Sequence, residues 1–281
     1  MINKSLKKHG LLFCGPTLIA FTLVFVIPFV MGVYLSFARF TTVSDAQFVG
    51  LENYRQILNG SSFLYSLIFT ALFAFCSVIS INLLGFLLAL LLSRKIRGRN
   101  FFRTVFFMPN LIGGIVLGYI WQLIINGILL SKGVSITSDA TYGFLGLLVL
   151  MNWQMIGYVM IIYIAAIGNI PPELLEAARV DGADSFTILR KIIIPSCMPS
   201  LSICLFLTLT NSFKLFDQNL ALTAGAPSGK TQMVALDIYN TFYGSVGNEG
   251  VGQAKAVVFF VVVAALALLQ LHFTSKKEYE A

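Results

Sequence analysis

The sequence predicts an all-α integral membrane protein: a six-helix bundle with cytoplasmic N- and C-termini and a cytoplasmic helix-turn-helix between spans four and five. Three observations predict it. Of the 281 residues, 57% are hydrophobic and only 11% charged, where a soluble domain of this size carries about 25% charged residues. The apolar residues gather into runs long enough to cross a bilayer, which takes ~20 residues. The net charge of +7 is placed unevenly. Lys4, Lys7, Lys8, the cluster from Arg94 to Arg103, Arg190-Lys191 and Lys276-Lys277 all fall on one side of a six-span topology. The opposite side nets zero. This is the positive-inside pattern of a chain whose partner is the lipid bilayer, and no nucleic acid is expected to bind it.

The elements follow in order. A short basic N-terminus leads into a first span over 11–37, too long for a signal peptide's apolar core and lacking a small-residue cleavage site at its end. Pro16 and Pro28 fall within it, where neighbouring helices are expected to repair the backbone bonding. A polar outer segment follows, with Phe48 to Tyr54 feeding a short surface helix. The second span covers 67–92. The basic cluster at 93–103 holds the next connection in the cytoplasm. The third span covers 104–126 and is interrupted early by Pro109-Asn110 and Gly113-Gly114; the fourth covers 144–167. After the 168–197 connection the fifth span covers 198–216, a long outer segment covers 217–252, and the sixth span covers 254–273. The whole is expected to be one transmembrane domain, 1–281.

The connection at 168–197 has more design than a loop needs. Pro171-Pro172 can open a helix, and Glu173 and Glu176 lie in its first turns, where carboxylates favour the positive end of the helix dipole. Gly182 supplies a left-handed stop. A second helix starts at once, with Asp184 early, Arg190-Lys191 late and Phe186, Leu189 and Ile193 at helical spacing. Pro195 is expected to close it.

No catalytic constellation is present: there is no phosphate-cradling loop and no Ser–His–Asp set. His9 and His272 lie at opposite ends of the chain and the four cysteines show no ligand pairing, so no metal site is expected. An intramembrane enzyme is disfavoured on the same grounds. Polar residues inside spans are costly unless they face the bundle interior. Asn82, Gln122, Asn152, Gln154 and Asn211, with Trp153 and Tyr158, offer amides for hydroxyls and aromatic faces for sugar rings. These seven are the candidate lining of a pathway for a neutral polyhydroxylated solute; the alternative role of each amide is interhelical hydrogen bonding. A passive channel or scaffold is the competing class. A glycerol phosphodiester would call for basic residues in the spans, which are nearly free of them apart from Lys214.

Glu176-Ala177-Ala178, Gly182, Ile192 and Ile194-Pro195 together resemble the EAA loop of ABC importer permeases, with Ile194 standing where that family usually has leucine. Ile170 to Leu175, Asp181-Gly182-Ala183, Phe48 to Tyr54, Arg103 to Pro109 and Leu222 to Pro227 followed by Thr231 are similar to the carbohydrate branch of that family. The resemblance runs from about residue 48 onward. It implies a permease subunit of an ATP-driven sugar importer in the bacterial cytoplasmic membrane, with a second homologous permease beside it and two cytoplasmic ATPase subunits below. An extracytoplasmic sugar-binding protein would deliver substrate. The resemblance also implies that Glu176, Ala177, Ala178, Asp181, Gly182, Ile192 and Pro195 couple the chain to an ATPase subunit. ATP and Mg would bind there, leaving this chain without cofactor or catalytic residue.

Overall fold

A computed structural model describes residues 14–94 and 96–278; the basic N-terminus, the start of the first span, Lys95 and the last three residues lie outside them. The chain is mostly helical. In order, it forms α1 (Cys14–Leu35), a hairpin of β1 (Ala38–Arg39) and β2 (Gln47–Phe48), α2 (Glu52–Asn59), α3 (Ser61–Ser93) and α4 (Arg99–Phe107). There follow α5 (Gly114–Lys132, its last turn 3-10), α6 (Ala140–Gly168), α7 (Pro172–Val180), α8 (Ser185–Ser196) and α9 (Met198–Phe213). The last elements are α10 (Asp217–Leu222), α11 (Val234–Gly244) and α12 (Glu249–Glu278). Five helices (α1, α3, α5, α6 and α12) are long and apolar enough to span a membrane; α8 and α9, bent by 68° at their junction, make a sixth if the pair counts as one span.

The residues divide into two compact units, one of Met1–Ser61 with Ile238–Phe260, the other of Ser62–Asp237 with Val261–Ala281. In the first, α1 has no buried residue in the window that qualifies it as a span, as befits a helix apolar all round. One of its two prolines, Pro28, follows a local rearrangement of the helix. Thr22–Val26 is a π-turn in which the Ile27 amide reaches back to the Thr22 carbonyl, one residue before Pro28, whose missing N–H cannot continue the normal ladder. The ladder is thus rearranged locally just ahead of Pro28. The hairpin pairs Ala38 with Phe48 and Arg39 with Gln47, antiparallel. At its tip the Asp45 carboxylate accepts the amides of Thr41 (2.9 Å) and Thr42 (3.0 Å), and these bonds hold its carboxyl below the ordinary carboxylate range.

The second unit is built around α3 and α6. Phe73, Ile81, Leu117, Leu147, Leu150, Val159, Met160 and Tyr163 are buried in one cluster. Lipid tails are as apolar as these side chains, so close packing and polar bonds hold the helices together more than transfer from water does. Gly157 shows how close the packing is: a Cβ there would collide with the Phe106 carbonyl, so α4 lies directly on α6 with no side chain between them.

Three expectations change. The third span has its expected early interruption at Pro109-Asn110 and Gly113-Gly114, but its long apolar helix starts only after that break and not at residue 104. α4 ends at Phe107, Met108–Leu111 is a 3-10 turn, Ile112 is extended, and the apolar helix starts at Gly114. Pro109 and the extended Ile112 end the α ladder there. Second, Pro195 does not close α8. Leu189–Ile193 forms a π-turn, with the Ile194 amide bonding the Leu189 carbonyl, and the helix continues to Ser196. The same device that precedes Pro28 thus precedes Pro195. The break comes at Cys197, and α9 ends at Phe213 rather than 216; its 16 residues reach about 24 Å at 1.5 Å each, short of a bilayer core.

Third, the 217–252 segment opens with a short helix, α10, that the sequence did not announce. α10 turns back onto α5, where a Cβ on Gly118 would stand 2.6 Å from the Ala221 Cβ. Asn219, fully buried, ties the returning loop: its Nδ2 donates to the Thr231 carbonyl (2.8 Å) and Thr223 Oγ1 (3.0 Å), and its Oδ1 accepts the Met233 amide (3.0 Å). Leu222, Met233 and Leu236 are buried with it. All four cysteines are free, Cys197 and Cys204 buried and Cys14 exposed.

Candidate functional site

The 172–196 stretch forms the expected helix, glycine turn and helix. α7 has no buried residue. Its C-terminus is a Schellman motif: the Gly182 amide donates to the Arg179 carbonyl (3.1 Å) and the Ala183 amide to the Ala178 carbonyl (2.9 Å), with Gly182 at φ +83°. Two of the carbonyls left over at the helix end are satisfied this way. Asp184 caps α8, its Oδ1 accepting the Thr187 amide at 3.1 Å; bonds from Thr187 hold its carboxyl below the ordinary range.

The stretch has two faces. Ile188 and Cys197 are buried, and Ala178, Ile192 and Pro195 are half-buried. Glu176, Ala177, Asp181 and Gly182 are exposed, and apolar side chains stand out beside them, Val180 at 87% and Phe186 at 65% exposure. Exposed apolar side chains of this size thus stand beside carboxylates on one face of the stretch.

The seven candidate lining residues do not form one cluster. Asn82 sits apart, buried, with Nδ2 donating to the Val78 carbonyl (2.8 Å) and Thr208 Oγ1 (2.9 Å) while Oδ1 accepts the Tyr163 hydroxyl (2.9 Å). It knots α3, α6 and α9. Gln122 and Gln154 both reach α10: Gln122 Nε2 donates to the Leu222 carbonyl (3.0 Å), and Gln154 Oε1 accepts from Gln218 Nε2 (2.8 Å). Gln218 was not singled out from sequence, because only the return of α10 brings it inward. Trp153, 43% exposed, meets Trp121 edge-to-face with centroids 5.6 Å apart. Tyr158 is half-buried against the core. Asn152 donates to the Leu148 carbonyl of its own helix, and its buried Oδ1 has no partner among the described residues. Asn211 is exposed and bonds the Leu207 carbonyl one turn back.

A cavity of about 220 Å³ connects the two regions. Asn82, Phe86 and Tyr163 line one side, and Ile194, Cys197 and Leu201, at the α8–α9 bend, line the other. The side chains at the bend thus share a cavity with Asn82 and Tyr163. Among the described residues no group of three or more His, Cys, Asp or Glu could hold a metal ion.

Residues 81–279 match the family described as the binding-protein-dependent transport system inner membrane component. The chain is 45% identical to a probable starch degradation products transport system permease protein of Thermoanaerobacterium thermosulfurigenes, covering 97% of each. It is 31% identical to a trehalose/maltose transport system permease protein of Thermococcus litoralis, covering 94% of this chain and 92% of that one. Among solved structures, a chain from a bacterial ABC transporter involved in the import of the acidic polysaccharide alginate superposes with a TM-score of 0.83 at 20% identity. That superposition covers 97% of this chain and 98% of that one, and it speaks for the fold. A family match over most of the chain and a full-length relative at this identity agree with the spans: the chain is a multi-pass membrane protein that belongs to the binding-protein-dependent inner membrane components, the permeases of ABC transporters.

Proposed function

We propose that this chain is one permease subunit of an ATP-driven importer for neutral sugars, with starch-derived oligosaccharides the favoured substrate class. The observation that carries the coupling half of this reading is the exposed α7–Gly182–α8 turn, whose bare apolar and acidic surface suits the cleft of a cytoplasmic ATPase subunit. Glu176 would offer its carboxylate to a basic partner, Ala177 and Ala178 would allow close approach, and Asp181 and Gly182 would set the turn. Ile192 and Pro195 would carry movement toward the α8–α9 bend. The cavity beside that bend gives the helices room to change angle, so the turn can act as a lever on Asn82 and Tyr163. ATP and Mg bind at two partner ATPase subunits, and this chain carries no catalytic group. A second homologous permease forms the other half of the pathway, and an extracytoplasmic binding protein delivers the sugar. The basic clusters support a topology in which both termini and the turn face the cytoplasm.

The substrate class rests on the named relatives and on the amide and indole side chains along α5, α6 and α10, to which Gln122, Trp153 and Gln154 belong. A purified complex of this chain with its partner permease and ATPase subunits tests the reading. Maltooligosaccharide plus binding protein should raise ATP hydrolysis severalfold over binding protein alone. Failure of ATPase subunits to copurify, or hydrolysis indifferent to every neutral oligosaccharide, would refute it.

A further inference from the structure

We propose that α2 forms an interfacial anchor whose surface groove takes a membrane phospholipid. α2 is pinned to the residues that immediately follow α1. Asn53 Nδ2 donates to the carbonyls of Ser36 and Ala38, both at 2.9 Å. The Tyr54 hydroxyl lies 2.6 Å from Ser36 Oγ, and its ring packs on Phe37 with centroids 5.1 Å apart. Wherever α1 leaves the membrane, α2 lies at that level. At its other end a single residue, Gly60, separates α2 from the spanning helix α3, and one residue reaches at most ~3.6 Å. A helix of eight residues tied in this way to two spans stays at headgroup depth.

The outward face fits that depth. Asn53 and Ile57 are buried, whereas Leu51 is 68% and Leu58 85% exposed. Those two leucines are two turns apart on one side of the helix, with Arg55 between them. A groove of about 510 Å³ runs along this face, lined by Val49, Leu51, Glu52, Tyr54, Arg55 and Leu58. Leucines can hold the upper part of an acyl chain, tyrosine suits the interface, and a guanidinium pairs with a phosphate. Continuity favours lipid over protein as the occupant. α1 exposes apolar side chains up to Tyr34, at 54%, two residues before the Ser36 pin.

The test uses the assembled transporter in nanodiscs of phosphatidylcholine and phosphatidylglycerol. In a Cys14→Ser, Cys76→Ala background, an environment-sensitive fluorophore is attached at Leu58→Cys, at Leu51→Cys, or at Val43→Cys. Val43 lies in the polar hairpin tip between Thr42 and Ser44 and serves as the aqueous reference. Lipids carrying a nitroxide near the headgroup should quench the Leu58 and Leu51 sites severalfold more than the Val43 site, and aqueous iodide should show the reverse order. Arg55→Gln should weaken lipid quenching at Leu58. An unchanged size-exclusion profile of each labelled complex guards against misfolding. Equal quenching at all three sites overturns the proposal. So does a Leu58 site untouched by lipid nitroxides and shielded only when an external binding protein is added, which would assign the groove to that protein.

Discussion

Gly182→Pro should abolish ATP-driven uptake while the chain still inserts and assembles with its partners. Gly182 stands at φ +83°, and proline holds φ near −65°, so the turn between α7 and α8 cannot keep its form. Proline also removes the amide that bonds the Arg179 carbonyl. The site is exposed and nothing lies within 4 Å of a Cβ built there, so the damage stays in the turn. Gly182→Ala separates conformation from contact. It meets no neighbour, and its cost is the left-handed backbone, roughly 1–2 kcal/mol; uptake should fall only partly. Glu176→Lys, on the exposed face of α7, should lower uptake without lowering thermal stability. Uptake and sugar-stimulated hydrolysis equal to wild type in the proline variant would sink the coupling role.

The second large effect is structural. Gly157→Ala should sharply reduce the amount of folded protein recovered in mild detergent. The added carbon would meet the carbonyl of Phe106 and come within 2.7 Å of the Phe107 nitrogen. Backbone cannot rotate aside as a flexible side chain can, so α4 and α6 must separate along their contact. Overpacking of this kind costs about 1–3 kcal/mol, occasionally more, and here it strikes the backbone contact between α4 and α6. Gly127→Ala and Gly168→Ala, where a Cβ meets nothing within 4 Å, should behave as wild type by size-exclusion profile and melting temperature. A Gly157→Ala protein as stable as those controls would show that α4 is free to move off α6.

The long spans were legible because apolar run length and basic flanks report the same boundary by independent physics. α3 and α6 run a few residues beyond the expected 67–92 and 144–167, since helices continue past the apolar stretch into capping residues such as Asp139, whose side chain accepts the Thr141 amide. The Gly182 turn was legible for a different reason: glycine, the preceding alanines and the flanking carboxylates are all local signals. Less readable was anything decided by contacts distant in sequence. Asn219 and Gln218 look like surface polar residues until α10 folds back, because their partners Thr231, Met233 and Gln154 follow no helical period. Asn82 was identifiable as a buried polar residue, but its bond to Thr208 depends on which helices adjoin it. The π-turns before Pro28 and Pro195 were hidden because composition marks where a ladder must break, not how the backbone mends it.

Crosslinking of α7 to an ATPase subunit tests the coupling directly. Val180, 87% exposed at the end of α7, is replaced by cysteine in the purified complex with Cys14→Ser and Cys76→Ala, and a short bifunctional reagent is offered to single cysteines in the ATPase cleft. An adduct between this chain and an ATPase subunit is expected, with a yield that changes when ATP binds, and uptake should be lost once the link forms. No adduct at any cleft position, or a link that leaves uptake intact, would contradict it.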